Sequence, residues 1–175
     1  MISLMRKSLF ITFLLLVTCL AVRAQSFALI DMEYILRNIP AYESANKQLE
    51  QSSKKWQAEV DKLAQEAKSM YEDYQKKASS LTDAQRTAKE EAIVNKETEL
   101  AELRRQYFGP EGEMAKLQAR LMRPIQDDIY EAVKEIAMAE GYAVVTDRAS
   151  ASSIIFASPD IDISNEVLAK LGYAR

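Results

Sequence analysis

Histidine is absent from the 175 residues, and the chain carries one cysteine, four glycines and four prolines. Without histidine it lacks the commonest general base near neutral pH and the commonest metal ligand. The cysteine, Cys19, falls in an N-terminal stretch with the marks of a removable leader, so the processed chain has neither disulfide nor thiol chemistry available. Sparse glycine and proline beside 28% charged residues suit long helices better than a loop-rich β fold. Missing too is the one-sided basic stripe that a nucleic-acid partner would need. No carboxylate pair stands at a spacing that supports hydrolysis. The expectation is therefore a non-enzyme with no catalytic residues, no metal and no cofactor.

Residues 1–24 show the three parts of a secretory signal. Arg6-Lys7 are the positive region, Leu9 to Val17 the apolar run, and Val22-Arg23-Ala24 precede a cut at Gln25. That run is short for a membrane span, and no second apolar stretch follows. Lipid attachment at Cys19, after Leu16-Val17-Thr18, is the alternative. It would make the protein a coiled-coil tether or assembly scaffold at the outer membrane. Either route leads to the periplasm. Loss of Arg6, Lys7 and Arg23 takes the formal charge from −3 to −6.

Phe27-Ala28-Leu29-Ile30 reads as a strand ending at Asp31, followed by a helical turn that Pro40 stops. Pro40 also suits the first turn of the next helix. From Tyr42 to Leu81, through Ala45, Leu49, Ser52, Trp56, Val60, Leu63, Ala67, Met70, Tyr74 and Ala78, apolar and small residues step by three or four. Such a narrow stripe holds one partner helix and cannot build a globular core. Residues 79–83 break the pattern, and Thr82-Asp83-Ala84-Gln85 supplies a capping box for a returning helix. There Ile93, Leu100, Tyr107, Met114 and Leu121 recur every seven residues, with Leu103 and Leu117 between. The register survives Gly109-Pro110-Glu111-Gly112, which predicts a kink or a one-turn interruption at 109–112. Pro124 marks the place where this helix rejoins the remaining segments. Beyond it come a helix ending at Gly141, a strand Tyr142–Thr146, a second strand Ile154–Ala157, and a short helix capped by Ser164.

The fold class is α+β, a long antiparallel coiled-coil hairpin beside a small β hub. We expect three regions after the leader: 25–40 and 124–175 as a β-rich oligomerisation hub, and 41–123 as the helical arm. Seven lysines meet seven acids in 41–81, and eight bases meet eight acids in 82–123, so the arm is neutral. Off the seam, Tyr71 and Phe108 are the better candidates for contact with a bound chain. Trp56, Tyr74 and Tyr107 lie on the seam, where packing within the hairpin competes with that role. Asp31, Asp147 and Asp162 follow strands or precede a cap, where carboxylates satisfy backbone donors more often than they hold a metal.

Phe27-Ala28-Leu29-Ile30-Asp31-Met32, Pro40-Ala41-Tyr42, Glu140-Gly141-Tyr142-Ala143-Val144-Val145-Thr146-Asp147 and Asp160-Ile161-Asp162-Ile163-Ser164, in that order around a coiled coil, resemble the Skp/OmpH family of periplasmic chaperones. The resemblance implies a homotrimer whose strands share a β hub. Its helical arms would enclose unfolded outer-membrane proteins without nucleotide or catalysis. Membrane contact would be at most peripheral. Better-known members have basic arms, and the interruption at 109–112 is not part of the family pattern.

Overall fold

The structure, a computed structural model, describes residues 26–151 and 154–173. The expected leader, with Cys19, lies outside the described residues. The described residues divide into two compact units: one takes in 26–38 and those from Asp128 onward, the other is Ile39–Asp127.

In the first unit β1 (Ser26–Ile30) and β2 (Tyr142–Asp147) pair in parallel, with Phe27 opposite Val144 and Ile30 opposite Asp147. The other edge of β1 is also taken: the Ile163 N–H donates to Leu29 O at 2.9 Å, beside a parallel bridge to Asp162. A strand with neighbours on both edges sits inside the unit, and Ala28, Leu29 and Ile30 are buried. The short helices α1 (Met32–Arg37) and α5 (Ser164–Lys170) pack together and bury Ile35, Val167 and Leu168. Ile129 and Ala132, on the last turns of α4 (Glu113–Glu140), are buried as well. Full burial of a branched aliphatic side chain contributes about 1.5–3 kcal/mol. A handful of such residues is a thin core for two strands and three helical segments.

Ile154-Ile155-Phe156-Ala157, expected as a strand, forms none: 154–157 is irregular, and Ile155 and Phe156 are almost wholly exposed. Both edges of β1 are occupied, and no other strand among the described residues accepts this segment. β-branched composition alone supplies no ladder. Ser164, expected as the cap of the last helix, is instead its first residue, with Ile163 at the cap position.

In the second unit α2 (Pro40–Lys77) packs against α3 (Asp83–Phe108), and a 3₁₀ turn over Ala78–Ser80 leads into the link between them. Pro40 stands in the first turn, as its missing N–H favours. The capping box forms as expected: the Gln85 N–H donates to Thr82 Oγ1 at 3.3 Å and the Thr82 N–H to Gln85 Oε1 at 3.0 Å. Buried in this unit are Ala45, Val60, Leu63 and Ala67 of α2, Ile93 of α3, and Leu117 and Ile125 of α4.

The return limb is broken at 109–112, by a built turn. The Gly109 N–H donates to Arg105 O at 2.9 Å, Gly112 N–H to Gly109 O at 2.9 Å, and Lys116 N–H to Gly112 O at 3.1 Å. Gly112 is buried, and a Cβ there would lie 2.8–2.9 Å from three backbone atoms. Pro124 sits inside α4 without ending it. An internal proline costs about 3 kcal/mol. Leu117, Leu121, Ile125 and Ile129 step by four on one covered face and offset that cost.

Candidate client-contact surface of the hairpin

The seam aromatics pair across the limbs. Trp56 stacks on Tyr107 with centroids 5.3 Å apart and planes 14° from parallel, and Phe108 meets Tyr107 edge-on at 6.4 Å. The Tyr107 hydroxyl donates to Glu59, and that hydrogen bond, with desolvation, raises the phenol pKa above 10.0. Tyr74 is held in the same way: its hydroxyl donates to Glu90, which likewise raises its pKa. Trp56, Tyr74 and Tyr107 are thus half-buried and engaged within the hairpin.

Tyr71 and Phe108 stand differently. Tyr71 is 49% exposed and Phe108 39%, and Val94 on α3 is 58% exposed. Phe108 borders the interruption, where Glu102, Arg105, Gln106, Glu111, Glu113 and Lys116 line an open groove of about 790 Å³ around Gly109 and Gly112. Three acids and two bases leave it close to neutral. Phe108 therefore combines two positions that the sequence pattern kept apart: its edge joins the Trp56–Tyr107 stack, and part of its ring faces solvent.

Polar contacts also cross between the limbs. Lys89 Nζ lies 3.2 Å from Asp73 Oδ2, and Lys96 Nζ 3.7 Å from Glu66 Oε2. Asp73 also takes Lys77 at 2.5 Å. Hydrogen bonds from Lys77 first, and Lys89 second, hold its carboxyl below the usual 3.8. Exposed ion pairs of this kind are screened by solvent and stabilise little.

The motif residues of the other unit form a capping network. The Asp31 N–H donates to Ser164 Oγ at 2.7 Å, and Ser164 Oγ donates to Asp162 Oδ1 at 2.6 Å. Asp31 Oδ1 accepts from the Tyr34 N–H at 2.9 Å, which caps α1. Asp147 Oδ1 accepts from the Met32 N–H at 3.2 Å, and Gly141 takes φ +77° where α4 gives way to β2. Among the described residues only Ser164 is a buried polar residue, and both its hydroxyl partners are backbone or carboxylate groups of this network. Three separated stretches of sequence thereby meet at one point, which explains their spacing by hydrogen bonding alone. No group of three or more side chains able to hold a metal occurs among the described residues. No helix among them is long and apolar enough to cross a membrane.

A family profile described as "Outer membrane protein (OmpH-like)" matches residues 26–171. The chaperone protein Skp of Yersinia enterocolitica is 27% identical over 148 residues, covering 85% of this chain and 87% of that protein. The chaperone protein Skp of Photorhabdus laumondii is 27% identical over 145 residues, covering 83% and 84%. The fold is similar to that of a solved OmpH-like protein of Caulobacter crescentus, with a TM-score of 0.65 over 85% of this chain and 84% of that one. At 11% identity this likeness concerns the fold alone. With 146 consecutive residues matched by the profile, the chain belongs to the OmpH-like family.

Proposed function

We propose that this chain is an ATP-independent holdase of the periplasm, which encloses unfolded outer-membrane proteins between the helical arms of a homotrimer. Membership of the OmpH-like family and similarity to proteins named chaperone protein Skp support the class. The hairpin is the observation that carries it. Two long helices spend a narrow apolar seam on each other, while Tyr71, Val94 and Phe108 stay open to solvent. Such an arm offers many weak contacts, and avidity among several arms substitutes for a deep pocket. With seven bases against seven acids on one limb and eight against eight on the other, long-range electrostatic capture is small. Enclosure, not charge, sets the grip.

Assembly follows from the same economy. Phe27 and Val144 lie side by side on the sheet, 56% and 48% exposed, and Ile155 and Phe156 are bare. Further copies of the chain would cover this apolar surface and give 154–157 the neighbouring strand it lacks. The leader at 1–24 would deliver the protein to the periplasm, and release of clients needs no nucleotide. The test is dilution of a denatured outer-membrane β-barrel protein from urea into nucleotide-free buffer. A molar excess of this protein suppresses light scattering; unchanged aggregation at that excess refutes the reading.

A further inference from the structure

Lys89, Ile93, Lys96, Leu100, Leu103 and Tyr107 step by four and three along α3, the spacing of a coiled-coil seam. Two of the six are lysines, and both lie in the half nearer the 3₁₀ turn. Neither is fully exposed, and the Lys96 side chain is only 25% accessible. Each meets an α2 carboxylate, Asp73 for Lys89 and Glu66 for Lys96. With Glu59, which accepts from Tyr107, these carboxylates recur every seven residues at 59, 66 and 73. α2 therefore presents one column of acceptors along the edge of the seam. Away from the tip the α3 seam carries Leu100, Leu103 and the Trp56–Tyr107 stack, and α2 buries Val60 and Leu63. Leu100, Leu103 and Tyr107 are half-buried; towards the tip the buried apolar side chains are Ile93, the one buried residue of α3, and the small Ala67 of α2.

Ion pairs across the limbs thus carry a larger share of the tip half than of the other half, where the one carboxylate contact is to the neutral Tyr107 hydroxyl. Apolar burial is insensitive to salt, whereas an ion pair in a half-exposed seam stabilises little and is screened. The acceptors are also shared. Asp73 holds Lys77 as well as Lys89, and Lys96 reaches Glu99 at 2.7 Å as well as Glu66. Charged seam residues fix register at a cost in stability. The antiparallel alignment is therefore kept while the tip half is the first to part.

We propose that the tip half of the arm, from Glu66 to Lys77 with Asp83 to Lys96, is a charge-held clasp. It opens while the rest of the hairpin stays closed, and opening presents Met70, Tyr74 and Ile93 to a client. The last step rests on the holdase reading above; the clasp itself does not.

Amide hydrogen exchange on the whole protein at constant pH, without client, tests the clasp. Peptides from 66–77 and 83–96 exchange faster than those from 52–63 and 99–107. The gap widens from about 0.01 M to about 1 M salt, as the screening length falls from roughly 30 Å to roughly 3 Å. A Lys89→Leu/Lys96→Leu variant slows the tip peptides roughly tenfold and leaves the others unchanged. Asp73→Lys and Lys89→Asp each speed tip exchange, and the double swap restores it. Equal, salt-insensitive exchange in both halves, or tip exchange unaltered in the leucine variant, overturns the clasp. The same leucine variant, added to an aggregating client, holds it less well than the natural chain. Full holding by a variant whose tip exchange has slowed overturns the client step alone. Failure of the natural chain to hold clients counts against the holdase reading instead.

Discussion

An alanine in place of Gly112 asks whether the break in the return limb is built or merely tolerated. The new Cβ would lie 2.8 Å from Gln106 O, 2.9 Å from Gly109 N and 2.9 Å from Tyr107 O. All three are backbone atoms, so no flexible side chain can swing aside and the turn itself has to open. Overpacking of this kind costs about 1–3 kcal/mol. Alanine returns about 0.4–1 kcal/mol by restricting the unfolded chain. Taking the middle of each range, the net loss is about 1.3 kcal/mol, and at ~2–4 °C per kcal/mol for a chain of this size the midpoint falls by roughly 3–5 °C. Thermal circular dichroism at a fixed protomer concentration measures it, since assembly of copies, where it occurs, would make the midpoint concentration-dependent. Glu111→Ala, exposed in the same turn, is the control and changes stability by less than ~0.5 kcal/mol. A Gly112→Ala midpoint equal to or above that of the natural chain refutes the idea that glycine packing holds the turn.

Ser164→Ala leaves the Asp31 N–H and the Asp162 carboxylate short of a partner and lowers stability by about 1–3 kcal/mol, read from urea unfolding. Ile129→Ala empties a fully buried site and costs about 2–5 kcal/mol in the same assay; Tyr130→Ala next to it, 64% exposed, changes little. The Tyr74 and Tyr107 phenols have raised folded pKa values, so the stability they contribute is complete below pH 10.0 and lost as pH rises through those higher values. Absorbance at tyrosinate wavelengths shows two late-ionising phenols, and Glu59→Gln brings one of them back towards 10.0. For Asp73 the sign reverses. Its contribution is full above the ordinary 3.8 and fades as pH falls through the lower folded value, so Lys77→Met with Lys89→Met removes that acid-side loss.

The hairpin was legible because it obeys a period. Steps of three and four from Tyr42 to Leu81, the capping box at Thr82 and the heptad through Tyr107 and Leu121 are local rules, and each element follows them. The stacking of Trp56 on Tyr107 follows from folding that pattern back on itself. Two kinds of feature escaped. Residues 154–157 have strand composition, but a strand needs a neighbour, and pairing lies beyond composition. Lys89 and Lys96 fall on the seam by spacing alone, yet a reading that follows apolar residues passes over charged ones in the same register. Asp31, Asp147 and Asp162 each accept from a backbone N–H, the role suggested by positions after strands or before a cap, whereas Ser164 falls one residue past the cap position. Their convergence was not legible, because it depends on contacts more than 110 positions apart in the chain.

The arms, on the function proposed above, hold unfolded chains without nucleotide. The most direct measurement mixes the intact protein with a urea-denatured outer-membrane β-barrel protein in nucleotide-free buffer and maps hydrogen exchange of the isolated complex. The holdase reading predicts a soluble complex with new protection on 41–123, around Tyr71 and Phe108 among other places. No soluble complex, or protection that leaves 41–123 unchanged, contradicts it.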